Sequence, residues 1–209
     1  MDSQKKTIVA DERESDRIRE WRERFARFQE TIATRRLWFV DESGSTIAMT
    51  RDYARAPSGV RAVDHAPRNR GTVTTMIGAL SLKGLGPVMT IEGATTGDVF
   101  VAYVDQLLAP ALAPGDIVVM DNLSAHKDAR VKQLIEAVGA RLVFQPAYSP
   151  DLNPIELAWA KVKWFLKIAK ARSHDALNNA LAMAMQIIEV DGDAPAWFKH
   201  CGWTGAQQG

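Results

Sequence analysis

The chain has 209 residues, 46% hydrophobic and 24% charged, with a net charge of +1, which suits one globular domain, or one domain with an appendage. No apolar run approaches the roughly 18–20 residues of a membrane span, the first ten residues hold no signal-peptide core, and the single cysteine, Cys201, excludes an intrachain disulfide. A cytoplasmic location fits, and the near-neutral charge means that any affinity for nucleic acid must come from clustered basic residues or from another module.

Residues 11–35 read as a helix, because Ile18, Trp21, Phe25, Phe28 and Ile32 recur at spacings of three and four. Its other faces mix arginines and glutamates, so it is expected to pack on the domain by one stripe. Leu37–Val40 is a short apolar strand ending in Asp41, and Ser43-Gly44-Ser45 reads as a turn into a strand around 46–49. Residues 51–71 carry Pro57, Gly59, Pro67 and Gly71 and read as a long loop. Residues 72–81 are strand-like, and a turn over Lys83–Pro87 leads into a strand at 88–91, giving an antiparallel meander. Helical spacing follows at 97–108, then a continuous apolar strand at 116–120 ending in Asp121, and a helix at 128–138 closed by Gly139. Residues 141–144 read as a buried strand, and 153–170 and 175–190 as helices. Alternation of strands and helices implies parallel strands covered on both faces. The expected fold is α/β, a mixed five-stranded sheet flanked by helices, with the element order of the ribonuclease H-like fold. Residues 1–35 are expected to form a helical connector and residues 36–209 the main domain.

Three carboxylates stand at structurally special places. Asp41 and Asp121 each follow directly on a short apolar strand, where a carboxylate can face a cleft instead of being buried at high cost. Either could equally be a turn residue. Asn153-Pro154-Ile155-Glu156 opens a helix, and this order matches a capping box in which the glutamate folds back onto the Asn153 N–H. Capping and chemistry are both open to Glu156. Three such carboxylates could converge on hard divalent cations such as Mg²⁺, which take oxygen ligands and bridge to substrate phosphates. Zinc is not expected, since His65, His126, His174, His200 and Cys201 show no paired ligand spacing.

Two basic clusters could track a phosphate backbone. The loop 51–70 holds Arg51, Arg55, Arg61, Arg68 and Arg70, and the helix after Glu156 holds Lys161, Lys163, Lys167 and Lys170, then Arg172. Trp159 and Trp164 on that helix read as core. Asn122, His126 and Lys127 follow Asp121. They are candidate DNA contacts, although His126 could instead orient a water or hydrogen-bond within its loop. Glu42 adjoins Asp41 but should point to the opposite face of its strand.

The stretches FVDESG at 39–44, VMDNLSAHK at 119–127, PAYSPDLNPIELAWAKVK at 146–163 and WFKHCGW at 197–203, with 34 residues between Asp121 and Glu156, resemble DDE transposases of the mariner-like superfamily, in particular its bacterial insertion-sequence branch. The resemblance spans about residues 35–203. It implies a ribonuclease H-like core in which Asp41, Asp121 and Glu156 hold two Mg²⁺ or Mn²⁺ ions. It further implies hydrolysis of phosphodiester bonds at element ends, transfer of the freed 3′-hydroxyl to target DNA, a homodimer or higher assembly, and a nucleoid-associated location in a bacterium. Complete members carry an upstream helix-turn-helix DNA-binding region; with the first carboxylate at position 41 that region is expected to be absent here, the chain being the second reading frame of a split gene, a truncated copy or an expressed catalytic piece, and a separate helix-turn-helix polypeptide is a candidate partner. The same chemistry would serve a ribonuclease H-like nuclease without strand transfer. An inactive DNA-binding remnant of a transposase is the third reading.

Overall fold

A computed structural model describes residues 10–205, apart from the side chains at 189 and 190. Five strands form one mixed sheet: β1 (Leu37–Ser45), β2 (Thr74–Ser81), β3 (Gly84–Glu92), β4 (Ile117–Met120) and β5 (Arg141–Phe144), in the order β3-β2-β1-β4-β5. β1, β2 and β3 pair antiparallel, whereas β4 and β5 continue the sheet parallel to β1. The helices are α1 (Asp16–Thr31), α2 (Gly97–Tyr103, widening into a π turn over Val104–Leu108), α3 (Ala129–Ala137), α4 (Ile155–Ala169), α5 (His174–Asp191) and α6 (Ala194–His200). Among the described residues no helix is long and apolar enough to cross a membrane.

Strand alternation sorts the core into two layers. Leu37 and Phe39 of β1 and Ile117 and Val119 of β4 face the layer built by α4, α5, α6 and Phe25 of α1. Val40, Val118 and Met120 face the layer of α2 and α3, with Phe100, Tyr103, Val131 and Ile135. Each such fully buried side chain contributes about 1.5–3 kcal/mol. Aromatic edges lock the first layer: Phe39 meets Phe198 and Trp203 at ring distances of 5.3 and 5.0 Å, and Phe25 meets Trp203 edge-on at 5.6 Å. α1 therefore docks by its apolar stripe, where the buried Gln29 donates to the Cys201 carbonyl at 3.0 Å.

Three strand expectations need correction. Ser43-Gly44-Ser45 is no turn: it stays extended because Met76, Thr75 and Thr74 of β2 pair with it, and residues 46–49 turn instead of forming a strand. The Lys83–Pro87 turn tightens to Leu82-Lys83, with β3 already under way at Gly84. β5 is an edge strand with Arg141 exposed, not a buried one, because among the described residues no strand pairs beyond it. Gly139 does close α3, at φ +78°, with Ala140 N–H returning to the Ile135 carbonyl. α6 was not expected, its seven residues being too few to show a period.

Gly78 of β2 sits opposite Asp41 in the ladder. A Cβ there would stand 2.9 Å from the ring of Trp159, a side chain of α4 that is itself only 1% exposed, and 3.1 Å from Val88. The bare backbone lets α4 lie close against the sheet. Gly78→Ala should therefore force Trp159 and α4 outward and cost about 1–3 kcal/mol, read as a lower denaturant midpoint. An unchanged midpoint would show that the contact is slack.

Candidate metal centre and active site

The parallel register places Val40 beside Met120. The next residues, Asp41 and Asp121, therefore leave that pairing side by side. Asp41 does not end its strand, as its apolar run implied; β1 continues on its β2 side to Ser45, while on the other side β4 has stopped. The flank of Asp41 thus opens onto the end of the β1–β4 pair, where parallel sheets place their clefts. Its odd position turns it to the α4 layer, and Glu42 turns to the α2 layer. Glu156 lies in the first turn of α4.

These carboxylates feel one another. Asp41 is only 9% exposed, and burial, reinforced by the charges of Glu156 and Asp121, pushes its carboxyl up to about 7 against the Glu42 N–H and His126. Glu156 is also raised, by partial burial and by Asp121, with Lys163 opposing. Asp121 goes the other way. Burial would raise it, but His126, the Leu123 N–H and Lys127 together hold it below the usual range.

His126, a candidate DNA contact, is fully buried and cannot reach a phosphate. Its ring lies 4.3 Å from Phe100, and its Nδ1 stands 2.7 Å from Asp121 Oδ1, an ion pair and not an aligned hydrogen bond. Nε2 stands 3.8 Å from Glu42 Oε1. Burial works against its charge, yet these two carboxylates outweigh it and push the imidazole up to about 9. Asp121 Oδ1 also accepts from the Leu123 N–H at 2.9 Å. His126 thus pairs with Asp121 from inside the fold, a structural role that the sequence reading places within its own loop.

The capping box does not form. The Pro150–Leu152 turn takes the Asn153 N–H at 3.0 Å, the very donor Glu156 would have capped, and Asn153 Oδ1 is buried without a partner. Among the described residues the Glu156 carboxylate accepts no hydrogen bond and forms no ion pair, and although its carboxyl lies partly within the protein the residue as a whole is exposed to solvent. The approach to α4 is instead held from outside. Arg22 of α1 donates to Ser149 Oγ and to both Asp151 oxygens, Arg13 adds a contact to Asp151 at 3.2 Å, and Trp203 donates to the Leu152 carbonyl at 3.0 Å. Tyr148 takes φ +54° within this segment. Sequence reading missed Arg22, whose partners lie 127 and 129 residues away.

The donor chemistry fits a hard divalent cation. Asp41 is a nearly buried carboxylate with no ion pair among the described residues, crowded by two further carboxylates. A cation is what would relieve that crowding. Among the described residues no three His, Cys, Asp or Glu side chains already form a cage, so the fit is one of charge and donor type.

The basic candidates divide. Arg55, Arg61 and Lys127 are exposed. Asn122 donates to the Gln145 carbonyl at 2.6 Å and so ties the ends of β4 and β5. Lys161 and Lys167 are not free for phosphate: Lys161 is held by Asp191 and Asp193, and Lys167 by Asp52. Lys170 likewise binds Asp64, and Arg172 donates to the carbonyls of Ile47, Met49 and His65. The run looked free of acids only because its acids come from distant segments. Lys163 has no ion pair among the described residues.

The family model described as DDE superfamily endonuclease matches residues 36–178, which include all three carboxylates. The chain belongs to this family. Solved structures of similar fold include those of the Mos1 transposase. One is a Mos1 paired-end complex with left transposon end, with a TM-score of 0.72 and 20% identity over 96% of this chain and 66% of that one. Another is a Mos1 mariner paired-end complex with Mn, at 0.76 and 18% over 97% and 64%. The Mos1 catalytic domain with Raltegravir and Mn gives 0.62 and 16%, covering 93% of this chain and 96% of that one. At these identities the likeness shows the fold, the mixed ribonuclease H-like sheet flanked by helices. The DDE chain spans about two thirds of the longer Mos1 chains. No curated protein matches it.

Two outcomes follow for the metal-free protein. Asp41 has a raised folded-state pKa, so its penalty grows from about the ordinary 3.8 towards 7 and is complete above. Asp41→Asn should therefore gain on the parent as pH rises through that window, by up to about 4 kcal/mol at pH 8. Thermal unfolding in chelator from pH 5 to 8 measures this, and an Asn variant weaker than the parent at pH 8 contradicts it. Glu156→Gln should shift the unfolding free energy by no more than about 0.5 kcal/mol, as for surface positions without special contacts. A loss near 1 kcal/mol would restore the capping role.

Proposed function

We propose that this chain is the catalytic domain of a DNA transposase, within a mariner-like, bacterial insertion-sequence branch, and that Asp41, Asp121 and Glu156 are its catalytic carboxylates. The reading is supported chiefly by the register that brings Asp41 and Asp121 out side by side at the end of the β1–β4 pair, with Glu156 near enough for its charge to raise the Asp41 carboxyl, the three coming from separate motifs of one family. The Mos1 proteins of like fold were solved with transposon ends, as a strand transfer complex, and with Mn or Mg.

The three carboxylates would hold two Mg²⁺ or Mn²⁺ ions. When bound, such ions activate the attacking oxygen and stabilise the leaving one in phosphodiester cleavage and transfer. The protein's own groups set the stage for that chemistry. Asp41 supplies a deep, desolvated anchor. His126 and the Leu123 N–H both engage Oδ1 of Asp121, which would leave Oδ2 for a metal ion. Glu156 stands at the outer lip on a helix start braced by Arg22 and Trp203. Lys163 beside Glu156, Lys127 beside Asp121, and exposed Arg55 and Arg61 are the cations left to meet phosphates. Residues 36–209 form the catalytic domain, with 1–35 as the connector. The working assembly pairs two DNA ends, as a homodimer or larger, with a helix-turn-helix polypeptide supplying end recognition, in the nucleoid of a bacterium.

Labelled linear and branched DNA incubated with Mg²⁺ or Mn²⁺ tests this directly. Joined products identify a transposase, and nicked products alone identify a nuclease. Asp121→Asn should lower cleavage at least about a hundred-fold, the rate equivalent of several kcal/mol of metal stabilisation, while retaining a cooperative unfolding transition. Cleavage at the parental rate by that variant would remove Asp121 from the site.

A further inference from the structure

α4 buries Ile155, Ala158, Trp159, Val162 and Leu166, which cover one side of the helix. Its opposite ridge runs through Glu156, Ala160 and Trp164, at successive spacings of four, and all three are exposed. Trp164 leaves 61% of its surface in water, contrary to its reading as core. A lone exposed apolar residue is ordinary, but two further facts set this one apart. It shares its ridge with the candidate metal ligand Glu156, about 12 Å away along the axis at 1.5 Å per residue, and only the small Ala160 lies between. Lys163, its neighbour in the chain, is without an ion pair among the described residues, although Lys161, Lys167 and Lys170 of the same segment are all bound to acids.

We infer that Trp164 and Lys163 form a stacking platform for an unpaired nucleobase of the DNA strand that enters or leaves the carboxylate site. An indole face accepts any base, and a neighbouring ammonium engages the phosphate of the same nucleotide. The 12 Å reach equals roughly three to four nucleotides at 3.4 Å per stacked step. The ridge thus holds a short single-stranded stretch open beside the scissile phosphate. This rests on DNA being the substrate, as proposed above.

The test uses the 209-residue chain without added metal and two labelled DNAs of equal sequence. One is a blunt duplex, and the other has a four-nucleotide overhang carrying 2-aminopurine. The parent should bind the overhang DNA more tightly and quench the 2-aminopurine. Trp164→Ala should lose the quenching and weaken overhang binding by about 5- to 100-fold while leaving blunt-duplex binding unchanged; Trp164→Phe should keep most of both. Lys163→Ala should weaken both DNAs and lower the salt slope by about one. Equal overhang binding by Trp164→Ala and the parent overturns the platform. So does a parent that sediments as a larger species than Trp164→Ala, since the indole would then cover a second copy of the chain. A parent that binds both DNAs equally overturns the platform alone, whereas one that binds neither removes the DNA reading as well.

Discussion

A carboxylate that is nearly buried yet faces two others is costly, and that cost organises this domain. Asp41 is placed there by a register, Val40 against Met120, that also delivers Asp121 to its side. Gly78 opposite Asp41 admits Trp159 and so brings α4 down on the sheet, with Glu156 at its start. The same packing that supplies core stability thus concentrates negative charge at one point. Strained or costly groups persist only where the surroundings over-determine them. Here the aromatic wedge of Phe39, Phe198 and Trp203 and the indole of Trp159 do so.

A net charge of +1 requires that any DNA-handling surface draw on clustered basic residues. The ion pairs change the meaning of that number. Asp52, Asp64, Asp191 and Asp193 are taken up by Lys167, Lys170 and Lys161, chiefly to fasten the 51–71 loop and the turn after α5. Such exposed pairs add little stability individually. Their effect is to sort charge, leaving Arg55, Arg61, Lys127 and Lys163 outside those pairs. Charge available to a partner is therefore distributed quite differently from charge counted along the chain.

The motifs at 39–44, 119–127 and 146–163 and the helices α3, α4 and α5 were legible because each rests on local period or local composition. What escaped depended on distance. The length of β1 is set by β2, some thirty residues on, and no local feature of Ser43-Gly44-Ser45 announces that partner. The Asn153–Glu156 box looked complete by itself, but a turn immediately upstream captured its donor. His126 read as a loop residue beside a basic one, and only the packing of Phe100 shows that it lies inside. Trp164 read like Trp159, although a step of five residues on a helix turns a side chain to another face.

The segment that leads into α4 is gripped from both ends of the described chain, by Arg13 and Arg22 before the sheet begins and by Trp203 after the last helix. The helix start that carries Glu156 is consequently approached through contacts from segments on either side of the sheet in the chain. The 149–152 turn is thus the point where α1 and the C-terminal segment both touch the approach to α4. Modules joined to either end would sit next to the contacts that hold the outermost carboxylate, whereas Asp41 is held by the sheet alone. The rim of the site therefore rests on segments far apart in the chain, and its floor on strand pairing.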